Sequence, residues 1–136
     1  MTGLAIGLTG ALLGIAFLHL LWAIGFWFPI REEQSLARAV VGSSGVTRMP
    51  GAVPCAFVAV ALAFAGILPQ QADFPFRGLL MPLIAAVFIL RGIAAYAPRW
   101  RALAPEEPFA TLDRRYYGPL CLTLGIGYLI LVLGGF

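Results

Sequence analysis

The chain has 136 residues, enough for one domain and short for two. Hydrophobic residues make up 61% and charged residues 11%, against roughly 25% charged in a soluble domain, and mean hydropathy is +0.94. That excess excludes a disordered chain and a nucleic-acid-binding surface, and it points to an integral membrane protein whose apolar side chains face lipid.

A helix crosses the hydrocarbon core in about 20 residues, and the first stretch that qualifies runs from about Leu4 to Phe28. It lacks a basic n-region and its apolar run outlasts a signal peptide, so it reads as a retained helix. Gly3, Gly7, Gly10 and Gly14 form a small-residue stripe on it, suited either to packing within the bundle or to homodimerisation. His19 lies near its middle, about 18 Å from Arg31 along a helix. Trp22 and Phe26 share its face, with Gly25 nearby. An ionisable residue inside a span is a functional candidate by default. His19 has three readings: a hydrogen bond to a neighbouring helix at Thr123 or Tyr128, a ligand contact, or metal or haem ligation. The last lacks a second His or an acidic pair.

A basic connection, Arg31 to Pro50, leads to a second span from about Val53 to Leu68, which opens with Pro54-Cys55. A short turn, Pro69 to Phe76, holds Asp73, with Arg77 at its edge. The third span runs from about Leu79 to Ala97 and contains Pro82, placed to kink it, and Arg91. Arg91 stands roughly 10 Å inside the end of that helix. It either snorkels to the interface or pairs with Asp113 in bidentate geometry, since Glu32, Glu33, Glu106 and Glu107 stand in more solvated loops. After a second basic connection, Pro98 to Tyr116, the fourth span runs from about Tyr117 to Phe136, with Pro119 and Cys121 in its opening turns.

The net charge of +3 comes from nine Arg, no Lys and six acids, and the two longer connections hold seven of the Arg. The positive-inside rule makes those connections cytoplasmic and puts both termini on the exterior or periplasmic side. Trp27, Phe28, Trp100, Tyr116 and Tyr117 fall near the cytoplasmic interface, where amphipathic rings settle. The expected fold is all-α: one domain over residues 1–136, a four-transmembrane-helix bundle of two helical hairpins. The chain divides at residue 68 into two helix–basic loop–helix halves, each with a Pro–Cys opening to its second helix, as an old duplication with parallel repeats would leave. Cys55 and Cys121 are too few for a disulfide framework. At similar depth they suit a redox pair, a soft-metal site or simple packing.

The segment Phe109-Ala110-Thr111-Leu112-Asp113-Arg114-Arg115-Tyr116-Tyr117-Gly118-Pro119-Leu120-Cys121, with His19-x-x-Trp22-x-x-Gly25 and Arg91-Gly92, resembles the domain of unknown function 3995 family of small bacterial four-helix membrane proteins. Phe109, Leu112, Asp113, Tyr117, Pro119, Leu120 and Cys121 occupy its Phe-x-x-Leu-Asp…Tyr-x-Pro-Leu-Cys pattern. The resemblance implies a four-helix fold in the bacterial inner membrane and carries no activity or cofactor with it.

Phosphate loops, HExxH, nucleophile elbows and paired intramembrane carboxylates are absent from the sequence. Three functions remain. The first is a non-enzymatic module binding or moving a small amphiphilic or anionic ligand at a polar cluster of His19, Trp22, Arg91, Asp113 and Tyr117. The second is an accessory subunit of a larger membrane complex, or a homo-oligomer, using the glycine stripe. The third is a membrane enzyme using His19 or the Cys55 and Cys121 thiols; a lone His without an oriented partner makes it the weakest. Anionic lipid headgroups are the expected partners of the basic face; no metal or cofactor is expected.

Overall fold

The computed structural model describes residues 2–135. Among them, four helices are long and apolar enough to cross a membrane, Thr2–Ala23, Ala52–Gln70, Arg77–Ala94 and Phe109–Leu133, and no strand occurs. In chain order the elements are α1 (Thr2–Ala23), α2 (Glu33–Val40), α3 (Ala52–Ile67), α4 (Arg77–Ala94), α5 (Pro98–Leu103), α6 (Phe109–Leu112) and α7 (Gly118–Leu133). A 3₁₀ turn, Leu68–Gln70, extends α3, and a π-helical turn, Asp113–Tyr117, joins α6 to α7. The molecule is an all-α, multi-pass architecture of four apolar spans. Phe136, the expected end of the fourth span, lies outside the described residues.

Three boundaries differ from the expectation, each for a local reason. α1 stops at Ala23 instead of running to Phe28. Gly25 takes a left-handed conformation (φ +82°), its N–H donates to Trp22 O at 3.1 Å, and the N–H of Phe26 donates to Leu21 O at 2.9 Å. Those two bonds are a Schellman cap, which ends a helix and satisfies its last carbonyls. α4 occupies Arg77–Ala94 rather than 79–97, because Pro98 opens a separate short helix. The last helical track begins at Phe109 rather than at Tyr117. Pro119 therefore sits inside it: its ring presses on the carbonyl four residues back and it cannot donate there. The turn before it opens to π geometry, with the Gly118 N–H on Asp113 O.

α1 packs chiefly on α3 and α4 on α7, so each half of the chain forms a helix pair, and α1 meets α7 between the pairs. Small residues set the approach. A Cβ at Gly66 would fall 2.9 Å from Leu12 Cβ, and one at Gly125 would fall 2.8 Å from Ile89 N. Leu8, Leu12, Leu68, Met81, Leu124 and Tyr128 fill the space between the helices. Buried Tyr128 donates its hydroxyl to Ala65 O at 2.5 Å, tying α7 to α3. The stripe of Gly3, Gly7, Gly10 and Gly14 faces outward, and a Cβ added at any of the four would meet nothing within 4 Å. Packing inside the bundle is thus overturned for the stripe: α1 turns Leu8, Leu12 and Ala16 inward and its glycines away from them.

Seven of the chain's nine Arg fall in the two connections that leave the same end of the bundle. There a second core gathers Trp22, Leu36, Ala37, Met49 and Cys55 under the first connection. The two connections also clasp each other. Glu106 N–H donates to Gly42 O at 3.0 Å, Glu106 Oε1 accepts from Gly45 N–H at 3.0 Å, and Arg38 pairs with Glu106 at 3.6 Å. Gly42 is doubly required: its φ is +72°, and a Cβ there would collide with the Phe109 ring. At the opposite end Arg77 donates from Nη2 to Pro69 O at 2.7 Å and from Nε to Leu68 O at 3.3 Å, capping the 3₁₀ turn that extends α3.

Candidate functional site

The expected ligand residues fall into two places, both at the arginine-rich end. The first surrounds Asp113, which the π turn holds at 0% exposure. Its Oδ1 accepts from Arg91 Nη2 at 2.8 Å; its Oδ2 accepts from Arg101 Nη2 at 2.6 Å and from the Trp100 indole at 2.9 Å. Arg91 and Asp113 therefore meet, as their placement in the sequence suggested. The pairing is not bidentate, because the carboxylate divides its oxygens between two arginines. Arg91 also lies over the Trp100 ring at 4.6 Å, a cation–π contact that shields one face of the guanidinium. Arg101 lies over Phe109 at 5.4 Å and donates to Ala110 O at 3.0 Å. Arg91 Nη1 and Arg101 Nε are buried without a partner among the described residues. Two guanidinium groups facing one carboxylate leave the cluster with an excess positive charge.

Tyr117 belongs to the same neighbourhood but points elsewhere. Its hydroxyl donates to Ala39 O at 2.9 Å and its ring lies 5.8 Å from Phe109, so it bridges the two halves of the chain. Trp100, which the sequence placed only as an interfacial ring, and Arg101, which it left in the basic connection, are the members that sequence reasoning missed. Pro98, which opens α5 and turns both inward, is the only signal that marked them.

The second place is a cleft between α1, the start of α3 and the segment between α2 and α3. Its volume is about 150 Å³, and its walls include His19, Trp22, Val40, Met49, Cys55 and Val58. His19 does not bond to Thr123 or Tyr128. Its Nδ1 lies 2.9 Å from Ile15 O on its own helix, and its ring sits edge-on to Trp22 at 4.8 Å. Thr123 and Tyr128 spend their hydroxyls on Pro119 O and Ala65 O. Trp22 in turn donates its indole N–H to Phe28 O at 2.8 Å, which ties the chain leaving α1 back to the helix. A wider, more polar cleft of about 410 Å³ adjoins the first, shares Trp22, Met49 and Pro50 with it, and adds Trp27, Glu33 and Arg48. Neither cleft is lined by Arg91, Asp113 or Tyr117.

Both thiols are free: Cys55 is buried beside the first cleft, and Cys121 is half-buried on α7. No group of three or more His, Cys, Asp or Glu is placed to hold a metal ion among the described residues. Outside the spans, two glutamates cap local structure. Glu32 accepts from Ser35 N–H at 3.0 Å and from its hydroxyl, and Glu107 accepts from Thr111 N–H at 2.8 Å and from its hydroxyl. In each, the side-chain hydrogen bond holds the carboxyl below the ordinary glutamate range.

A family model described as a protein of unknown function, DUF3995, matches residues 12–128, an interval that contains both places. No curated protein and no solved structure matches the chain.

Proposed function

The chain belongs to the DUF3995 family of proteins of unknown function, and from that premise we propose that it is a non-enzymatic membrane module that binds a small amphiphile at the His19–Trp22 cleft. The observation that carries this reading is the adjacency of the two clefts. One is small and almost wholly apolar; the other is wider, holds Arg48 and Glu33, and shares a wall with the first. An amphiphile matches that sequence of environments, with its apolar part against Trp22 and Val58 and its polar part near Arg48. In this reading the Arg91–Asp113–Arg101 cluster and Tyr117 brace the end of the bundle that frames the site. The bilayer is the inner membrane of a bacterium, with the arginine-rich end cytoplasmic and the chain ends outside. Exposed Arg99, Arg114 and Arg115 meet anionic lipid headgroups there.

The test is native mass spectrometry of protein released from its own membranes, for the wild type and for Val58→Phe, which fills the cleft. A discrete small molecule bound to the wild type and lost from Val58→Phe is expected, while Val87→Phe, on an exposed stretch of α4, retains it. Wild-type protein that arrives bare would overturn the reading.

The outward glycine stripe favours a second reading, an accessory subunit of a larger membrane complex. It requires a protein partner that stays with the wild type in mild detergent and is released by Gly10→Leu, a substitution at a position with open space around it.

A further inference from the structure

We infer that the ligand of the His19 cleft is an aromatic ring bearing a hydroxyl group, held by donation of its O–H to His19 Nε2. The inference rests on the binding reading above and adds the chemistry that the cleft selects.

A hydrogen bond inside α1 fixes the tautomer of His19. A backbone carbonyl oxygen only accepts, so the 2.9 Å contact between His19 Nδ1 and Ile15 O requires the proton on Nδ1. A neutral imidazole with that tautomer carries a bare lone pair on Nε2 and acts there as an acceptor only. Among the described residues no donor meets that nitrogen. His19 is one of the residues that line the cleft, and the bond to Ile15 engages Nδ1, so Nε2 is the ring nitrogen that remains for a ligand. Trp22, edge-on at 4.8 Å, fixes the ring from the side.

Size and wall chemistry select the rest of the ligand. About 150 Å³ is the scale at which an engineered apolar cavity accepts one benzene ring. Two of the walls are the sulfur-bearing side chains Met49 and Cys55 and a third is the Trp22 indole; thioether sulfur and indole both make favourable contacts with aromatic rings. A saturated chain would gain from burial alone and would leave Nε2 unmatched. A ring carbonyl would set a second lone pair against the first. A phenolic or quinol hydroxyl satisfies the acceptor, and a polar substituent elsewhere on the ring would reach the wider cleft beside Arg48.

The chain contains one histidine, so its ring nitrogens can be read without ambiguity. Protein with ¹⁵N-labelled histidine is placed in lipid nanodiscs at about pH 8, above the ordinary imidazole range. It is titrated with para-octylphenol, its methyl ether and octylbenzene, each expressed per lipid. The free protein is expected to show a protonated Nδ1 and a bare Nε2, and para-octylphenol alone is expected to shift the Nε2 signal. The phenol should bind about fivefold or more tightly than its ether, and His19→Leu should remove that preference while retaining octylbenzene. A protonated Nε2 in the free protein, or equal binding of all three probes with an unmoved Nε2 signal, overturns the hydroxyl assignment and leaves the cleft as a binding site. Failure of every probe to bind wild type more tightly than Val58→Phe overturns the cleft itself.

Discussion

Asp113 accepts from Arg91, Arg101 and Trp100 at once, so its charge holds two cations that are otherwise desolvated. Removing one member of a buried ion pair costs about 3–5 kcal/mol, because the remaining charge stays buried and unpaired. Asp113→Asn keeps the shape and removes the charge, and it should lower stability by about that amount in denaturant unfolding in detergent. A loss under about 1 kcal/mol, the scale of an exposed pair, would mean the cluster is solvated. The Arg91–Asp113 contact was legible in the sequence because an arginine inside a span requires compensation and Asp113 was the nearest acid beside a span. Arg101 and Trp100 were not, since Arg99 and Arg101 read alike as basic connection and Trp100 as an interfacial ring; the turn that Pro98 opens leaves Arg99 exposed and brings the other two to Asp113. For His19 the sequence showed an intramembrane ring but not its partner. Its carbonyl lies four residues back on the same helix, and no side chain advertises it.

At the scale of elements, apolar content located the four spans well and their ends poorly. Phe26, Trp27 and Phe28 are as apolar as the helix before them, so hydropathy ran past the Gly25 cap. A glycine ahead of an aromatic run and Pro29 was the signal for the stop. The glycines divide in the same way. Sequence spacing singled out the stripe on α1, whereas the close approaches include Gly66 on α3, Gly92, Gly118 and Gly125 between α4 and α7, and Gly127 facing α1. Gly125→Leu should therefore cost about 1–3 kcal/mol through overpacking and lower the thermal unfolding temperature. Gly10→Leu, with open space around it, should leave that temperature unchanged in detergent. Equal effects of the two substitutions would show that the α4–α7 interface is loose.

Across the whole molecule, the two helix pairs are held by contacts in the apolar interior and at the arginine-rich end. Tyr128 reaches Ala65 in the apolar interior, and Tyr117 reaches Ala39 while Glu106 reaches Gly42 and Gly45 at the arginine-rich end. The peptide link between the pairs is the exposed turn Gln71–Phe76 at the opposite end. That turn is short and exposed, as a tolerated site for interruption must be. The continuity of the chain there is consequently dispensable in principle. Residues 1–72 and 73–136, translated from two separate start sites, should each insert as a hairpin and find the other in the bilayer by the same side-chain and backbone contacts. The pair should co-purify as a heterodimer, with Tyr117→Phe weakening the association; fragments that remain apart would show that the covalent turn, and not the clasp, holds the halves together.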